Sequence, residues 1–290
     1  MHQYLRAVGF STIENKKQER DLLNDCIIDP NKKDYVNAGR DNILVEYSKN
    51  YSPSCGIAIR GEYDDANTLT LDFYYPFVLA DKISTNEGVS IERHAANESF
   101  AGFTEDYRVG VSLIYYIQNG IEFINRDANE KKEKNVRCTS FSALSLEGTI
   151  MLPIKKDPKQ REQILKANAD RNKRIMAAKN GDEEAIEQLT MEDIDTYSAV
   201  SRRILTDDVF TLVDSYLMPY GVECDQYSIL AEIEECRLEK NILSGEEIYI
   251  MDLSCNGLPI TLCINSKDLL GEPLAGRRFR GNIWLQGSIV

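Results

Sequence analysis

Histidine is nearly absent from this 290-residue chain: His2 and His94 are the whole supply. The seven cysteines, Cys26, Cys55, Cys138, Cys224, Cys236, Cys255 and Cys263, include no CxxC pair. Structural zinc needs four soft ligands at workable spacing, so no metal is expected and the cysteines read as small core hydrophobes. An odd number of thiols, with no apolar leader in residues 1–9, points to a reducing cytoplasm. Neither GxxxxGK[ST] nor a GxGxxG after a strand occurs, and no GxSxG marks a nucleophile. No cofactor is therefore expected. Apolar runs such as 113–117 are far shorter than the roughly 20 residues a membrane helix needs, so no membrane partner is expected. A net charge of -13 disfavours a surface that coats nucleic acid.

What is there is ordinary globular material, 42% hydrophobic and 28% charged. Cores tend to split beyond about 250 residues, so the length suggests two domains. Residues 14–28 have Leu22, Leu23, Cys26 and Ile27 on one stripe, a helix that Asp29-Pro30 stops. From about 42 to 154 the period shortens towards two. Cys55, Ile57 and Ile59 alternate with Gly56, Ala58 and Arg60, and Leu69, Leu71 and Phe73 with Thr70 and Asp72, the pattern of antiparallel strands. Asn119-Gly120 predicts a hairpin within 109–125, and Glu147-Gly148 a second turn. Residues 159–179 predict a long helix ended by Asn180-Gly181. A second helix follows over 182–189, and Thr190 with Asp193 predicts the cap of a third. The clearest hairpin is 247–264 around Asn256-Gly257, which pairs Leu253 with Ile260, Met251 with Leu262, Tyr249 with Ile264 and Asp252 with Thr261. Residues 279–289 supply a final strand. The class is α+β: a β-rich N-terminal domain with an antiparallel sheet and an early helix over 1–154, a helical connector over 155–205, and a small C-terminal β-barrel-like domain over 206–290.

Few residues carry readable chemistry. His94 lies between Glu92 and Glu98, which would be the only general acid/base set, in a polar loop. The carboxylates Asp64-Asp65, Glu192, Asp193, Asp195 and Asp207-Asp208 sit where acids cap turns and helix starts. No catalytic residue is therefore assigned. Lys155, Lys156, Lys159, Arg161, Lys166, Arg171, Lys173, Arg174 and Lys179 make a basic stretch. They form either an anion-binding face or partners for the acids at 182–195. The strongest binding lead is Arg277, Arg278 and Arg280 with Trp284, which would hold a phosphate or a nucleobase. The alternative is a strand whose arginines pair with acids such as Asp268 and Glu272, with Trp284 in the core.

Three stretches, MHQYLRAVGF at the start, DDVFTLVDSYLMPYGVECDQYSIL at 207–230 and INSKDLLGEPLAGRRFRGNIWLQG at 264–287, resemble an uncharacterised bacterial family, a domain of unknown function of about this length. That resemblance implies a bacterial cytoplasmic protein and brings no catalytic residues. The functional expectation is a non-enzymatic interaction or adaptor protein that binds another protein or itself, with an exposed patch at Tyr74, Tyr75, Tyr115 and Tyr116 as its support. The alternative is a binder of a nucleotide, small anion or single-stranded nucleic acid through Arg277, Arg278, Arg280 and Trp284.

Overall fold

A computed structural model describes residues 1–37, 43–64, 66, 68–94, 99–122, 138–154, 158–203 and 213–290. After a 3-10 helix, Gln3–Val8, comes helix α1, Lys16–Ile28. The Asn15 side chain starts α1 by accepting from the amides of Lys17 and Gln18 at 3.1 and 3.0 Å, as a short polar N-cap does. The helix stops before Asp29-Pro30, and Leu22 and Cys26 are its buried positions.

Strands β1 (Lys32–Asn37), β2 (Ile43–Asn50), β3 (Cys55–Tyr63) and β4 (Leu69–Val78) form an antiparallel sheet in chain order. The larger sheet begins with β5 (Val89–His94), β6 (Ser99–Asp106), β7 (Val111–Ile117) and β8 (Thr139–Met151). It resumes after the helices α2 (Pro158–Lys179) and α3 (Glu183–Arg203). Its later strands are β9 (Tyr216–Pro219), β10 (Gln226–Lys240), β11 (Glu247–Cys255), β12 (Leu258–Asn265), β13 (Leu269–Leu270) and β14 (Arg278–Ile289). Five strands close a barrel in the order β8-β12-β11-β10-β14 and back to β8, with β8 and β12 parallel. The architecture is thus α+β, an antiparallel sheet beside a barrel. Because β7 and β8 hydrogen-bond to β14 and β12, strands from either side of the helical pair share one sheet.

The hairpin of β11 and β12 has the register its sequence specifies: Leu253 faces Ile260, Met251 faces Leu262, Tyr249 faces Ile264 and Asp252 faces Thr261. Asn256 and Gly257 turn it with φ of 52° and 81°, the two left-handed residues of a type I′ turn. One side of these strands, with Met251, Leu253, Ile260 and Leu262, fills the barrel together with Phe279 and Ile283. The other side carries Ile250 and Cys263, which join Trp284 in a second core against the first sheet and the N-terminal segment. Tyr4, Leu5, Ala7 and Val8 wedge into that seam, so these strands are apolar on both faces.

Three local expectations are corrected. β8 runs unbroken through Glu147-Gly148. Gly148 is there because a Cβ would come within 2.3 Å of the Phe279 ring, so the glycine marks a close approach rather than a turn. Asn119-Gly120 does not turn a hairpin, since residues 120–122 are helical. Instead the Asn119 side chain pairs with the backbone of Ile289, donating at 2.7 Å and accepting at 2.9 Å. Thr190 caps nothing, because α3 is continuous and its hydroxyl donates to the Ile186 carbonyl at 2.8 Å, a bond available inside a helix.

The first sheet docks on the larger one through a buried charge. Arg60 on β3 is 2% exposed. It pairs with Glu46 on β2 and donates to the carbonyls of Ile117 and Gln118, past the end of β7, at 3.3 and 3.0 Å. Burial raises the Tyr75 pKa far above its ordinary value, which keeps the phenol a donor; it reaches the Gln118 carbonyl at 2.7 Å. The Gln118 amide then bonds Val78, Ser142 and Gln286, tying β4, β8 and β14 together. Removing one member of a buried ion pair leaves the other charge uncompensated. Arg60→Leu should therefore cost about 3–5 kcal/mol in urea unfolding, and a loss under about 1 kcal/mol would show that the pair does not hold the sheets together.

His2 lies in the same seam, its ring 5.1 Å from that of Trp284. Burial, aided by the neighbouring amino group, lowers its pKa from 6.5 to about 4. The folded chain thus keeps His2 neutral where the unfolded chain takes up a proton. Its contribution is whole above pH 6.5 and is lost as pH falls towards 4. Stability measured at pH 7 and at pH 4.5 should fall less on acidification in His2→Gln than in the parent, and equal falls would refute the assignment.

Candidate interaction surface

The segment singled out for binding does not converge on a ligand. Arg278 is 7% exposed and donates to the carbonyls of Leu152 and Val213 at 3.2 and 3.1 Å. Arg277 reaches the Glu272 carbonyl at 2.7 Å and its carboxylate at 3.5 Å. Trp284 is in the seam core, stacked on Tyr4 at 5.2 Å, and its indole N–H donates to Asp225 at 2.7 Å. Arg280 lines a cavity of about 300 Å³ beside Glu147 and Asp268. Successive β14 residues take opposite sides, with Phe279 inside the barrel, and the carboxylates beside Arg280 oppose an anion. Arg278→Ala should cost about 1–3 kcal/mol in thermal or urea unfolding, whereas Arg277→Ala should stay within about 0.5 kcal/mol; equal costs would contradict these separate roles.

The tyrosine patch is also absent from the surface. Tyr75, Tyr115 and Tyr116 are buried, and half-buried Tyr74 bonds Glu19 and the His2 amide. Of the possible acid/base set at His94, Glu92 is exposed, while the His94 side chain and Glu98 lie outside the described residues. Among the described residues no three His, Cys, Asp or Glu side chains gather as a metal site, and no helix is long and apolar enough to cross a membrane.

Among the described residues, three of the five large apolar side chains that the helices expose lie on α3. Gly181, at φ 88°, ends α2, and Asp182 caps α3 by accepting from the Ala185 amide at 3.1 Å. The two helices are held by opposite charge. Arg171 pairs with Glu192 and Asp193 at 3.3 and 2.7 Å, and Arg174 with Glu192 at 3.0 Å. The basic stretch is therefore partly neutralised within the chain, as its position before the acids allows. Lys155 and Lys156 lie outside the described residues, as do the side chains of Lys159 and Arg161. Arg171 and Ile175 of α2 border Tyr107 and Val111 at the turn between β6 and β7, so α2 faces the body of the molecule and α3 lies outermost.

Ala185 and half-buried Leu189 face inward. Ile186, Met191 and Ile194 are 47%, 63% and 57% exposed. Ile186 and Ile194 are eight residues apart, so with Met191 they fall within one arc of the helix. Glu183, Glu184, Glu187 and Asp195 surround them in no ion pair among the described residues. No lysine or arginine occurs between Asp182 and Val200 to offset them.

Comparison with known families gives one match, over residues 5–287, to the model for DUF3881, described as a domain of unknown function from E. rectale. The chain belongs to the DUF3881 family. This bacterial family covers nearly all of the DUF3881 chain and carries no activity to transfer. No curated protein and no solved structure matches it.

Proposed function

We propose that this protein is a non-catalytic interaction protein that holds a basic, amphipathic segment of a partner on the outer face of α3. The observation that carries the reading is the exposed set Ile186, Met191 and Ile194, interspersed with acids that make no ion pair among the described residues. An exposed apolar stripe inside a charged rim is the surface that a helix of opposite charge fits, burying the centre while the rim selects the partner's sign. The groove beside Met191, of about 590 Å³, includes Glu184, Glu187 and Asp195 in its lining. A cytoplasmic setting goes with this reading, since all seven cysteines are free thiols.

An 18-residue lysine/leucine amphipathic helix and its glutamate/leucine counterpart, read by fluorescence anisotropy, test the proposal. The basic peptide should bind saturably and weaken with salt, and the acidic one should not bind. Ile186→Asp with Ile194→Asp should weaken the basic peptide by about tenfold or more, roughly 1.4 kcal/mol, with the melting temperature kept because both positions are exposed. Equal binding of the two peptides, or an unchanged double variant, would refute it.

A further inference from the structure

A second site lies in the seam between the sheets, and it shares no residue with α3. A cleft of about 370 Å³ opens above the Arg60 network, with Glu46, Tyr75 and Gln118 in its lining. That volume is within the range of about 300–1,000 Å³ typical of small-molecule pockets. Ala58, Phe77, Leu79 and Ile289 give it apolar walls, and Leu79 is 42% exposed.

The hydrogen-bonding state of the lining selects the ligand. Most of the donors are engaged inside the protein. The Tyr75 hydroxyl donates to the Gln118 carbonyl at 2.7 Å, the Gln118 amide serves three acceptors, and the Asn119 amide donates to Ile289 at 2.7 Å. The ammonium of Lys32 is held by Asp34 and Glu122 at 2.9 and 3.1 Å. A carboxylate oxygen and a hydroxyl, which can donate or accept, remain. One Glu46 oxygen takes Arg60 and Tyr75; the other accepts no hydrogen bond among the described residues, although Glu46 lines the cleft. Ser48 on the same strand also lines the cleft, and its hydroxyl has no partner among the described residues. A ligand ammonium in the cleft would give that Glu46 oxygen a charge-assisted donor.

The geometry points to a binding site for a small primary amine, its ammonium on Glu46 and Ser48 and its alkyl stem along Phe77, Leu79 and Ile289. A carboxylate or phosphate ligand would meet the negative charges of Glu46 and Glu122. A neutral alcohol would donate one hydrogen bond without the charge, and charge-assisted bonds are the stronger ones.

Hexylamine, hexan-1-ol and hexanoate, titrated by isothermal calorimetry and by protein chemical shifts, separate these cases. Hexylamine should saturate the site, hexan-1-ol should bind at least about tenfold more weakly, and hexanoate should not bind. Glu46→Gln also unpairs Arg60 and so can fail to fold. The blocking variant is therefore Ser48→Trp, which fills the cleft from a half-buried position that has no side-chain bond to lose. It should cut hexylamine affinity at least about tenfold with an unchanged melting temperature. Equal affinity for the three probes, absence of hexylamine saturation, or parent-like binding by Ser48→Trp would each overturn the assignment. These outcomes are independent of peptide binding at α3.

Discussion

Arg60 carries a positive charge into a place where water cannot solvate it, and the meeting of the two sheets is arranged around that fact. Its partners come from three parts of the chain: Glu46 on β2, Tyr75 on β4, and the carbonyls of Ile117 and Gln118 at the end of β7. An unpaired guanidinium in such a position would cost several kcal/mol, so the first sheet is seated where Arg60 meets these acceptors. Gln118 passes the constraint on to β8 and β14. What such a network contributes is chiefly definition of the seating, since hydrophobic residues of equal volume could match it in stability.

That seating gives the protein two cores rather than one. The barrel is filled from within by residues such as Phe279 and Leu262, while its outer wall is covered by the N-terminal segment and the first sheet. A strand such as β14 therefore sends alternate side chains to different cores. Phe279 goes inward, Trp284 goes to the seam, and the two arginines before Phe279 are drawn to separate partners, Arg277 to Glu272 and Arg278 to Leu152. Arg278 and Trp284 thereby bond other parts of the chain, at Leu152, Val213 and Asp225.

What remains for interaction is set by arithmetic of charge and burial. In the helical pair, Arg171 and Arg174 of α2 meet Glu192 and Asp193, leaving other acids of α3 and three large apolar side chains facing out. In the seam cleft, most donors are engaged internally and a Glu46 carboxylate oxygen is left. Both surfaces favour cationic partners, in keeping with a net charge of -13, and they differ in scale: one suits a helix, the other a small molecule.

Much of the local structure was legible in the sequence. Asn256-Gly257 and its flanking alternation specified the β11–β12 register, Asp29-Pro30 specified the end of α1, and Asn180-Gly181-Asp182 the break between the helices. These features are encoded within a few residues, where one turn type or cap accounts for the hydrogen bonds. Glu147-Gly148 and Asn119-Gly120 carried the same local signal and were decided otherwise, by the Phe279 ring and by the backbone of Ile289. Tertiary structure also decided the barrel closure, the separation of the three arginines, the burial of the tyrosines and the lining of the cleft. The cleft gathers side chains from positions as distant as Glu46 and Ile289. No periodicity records such a meeting, because it follows from which surfaces fit and which buried polar groups can be satisfied together once the chain has closed on itself.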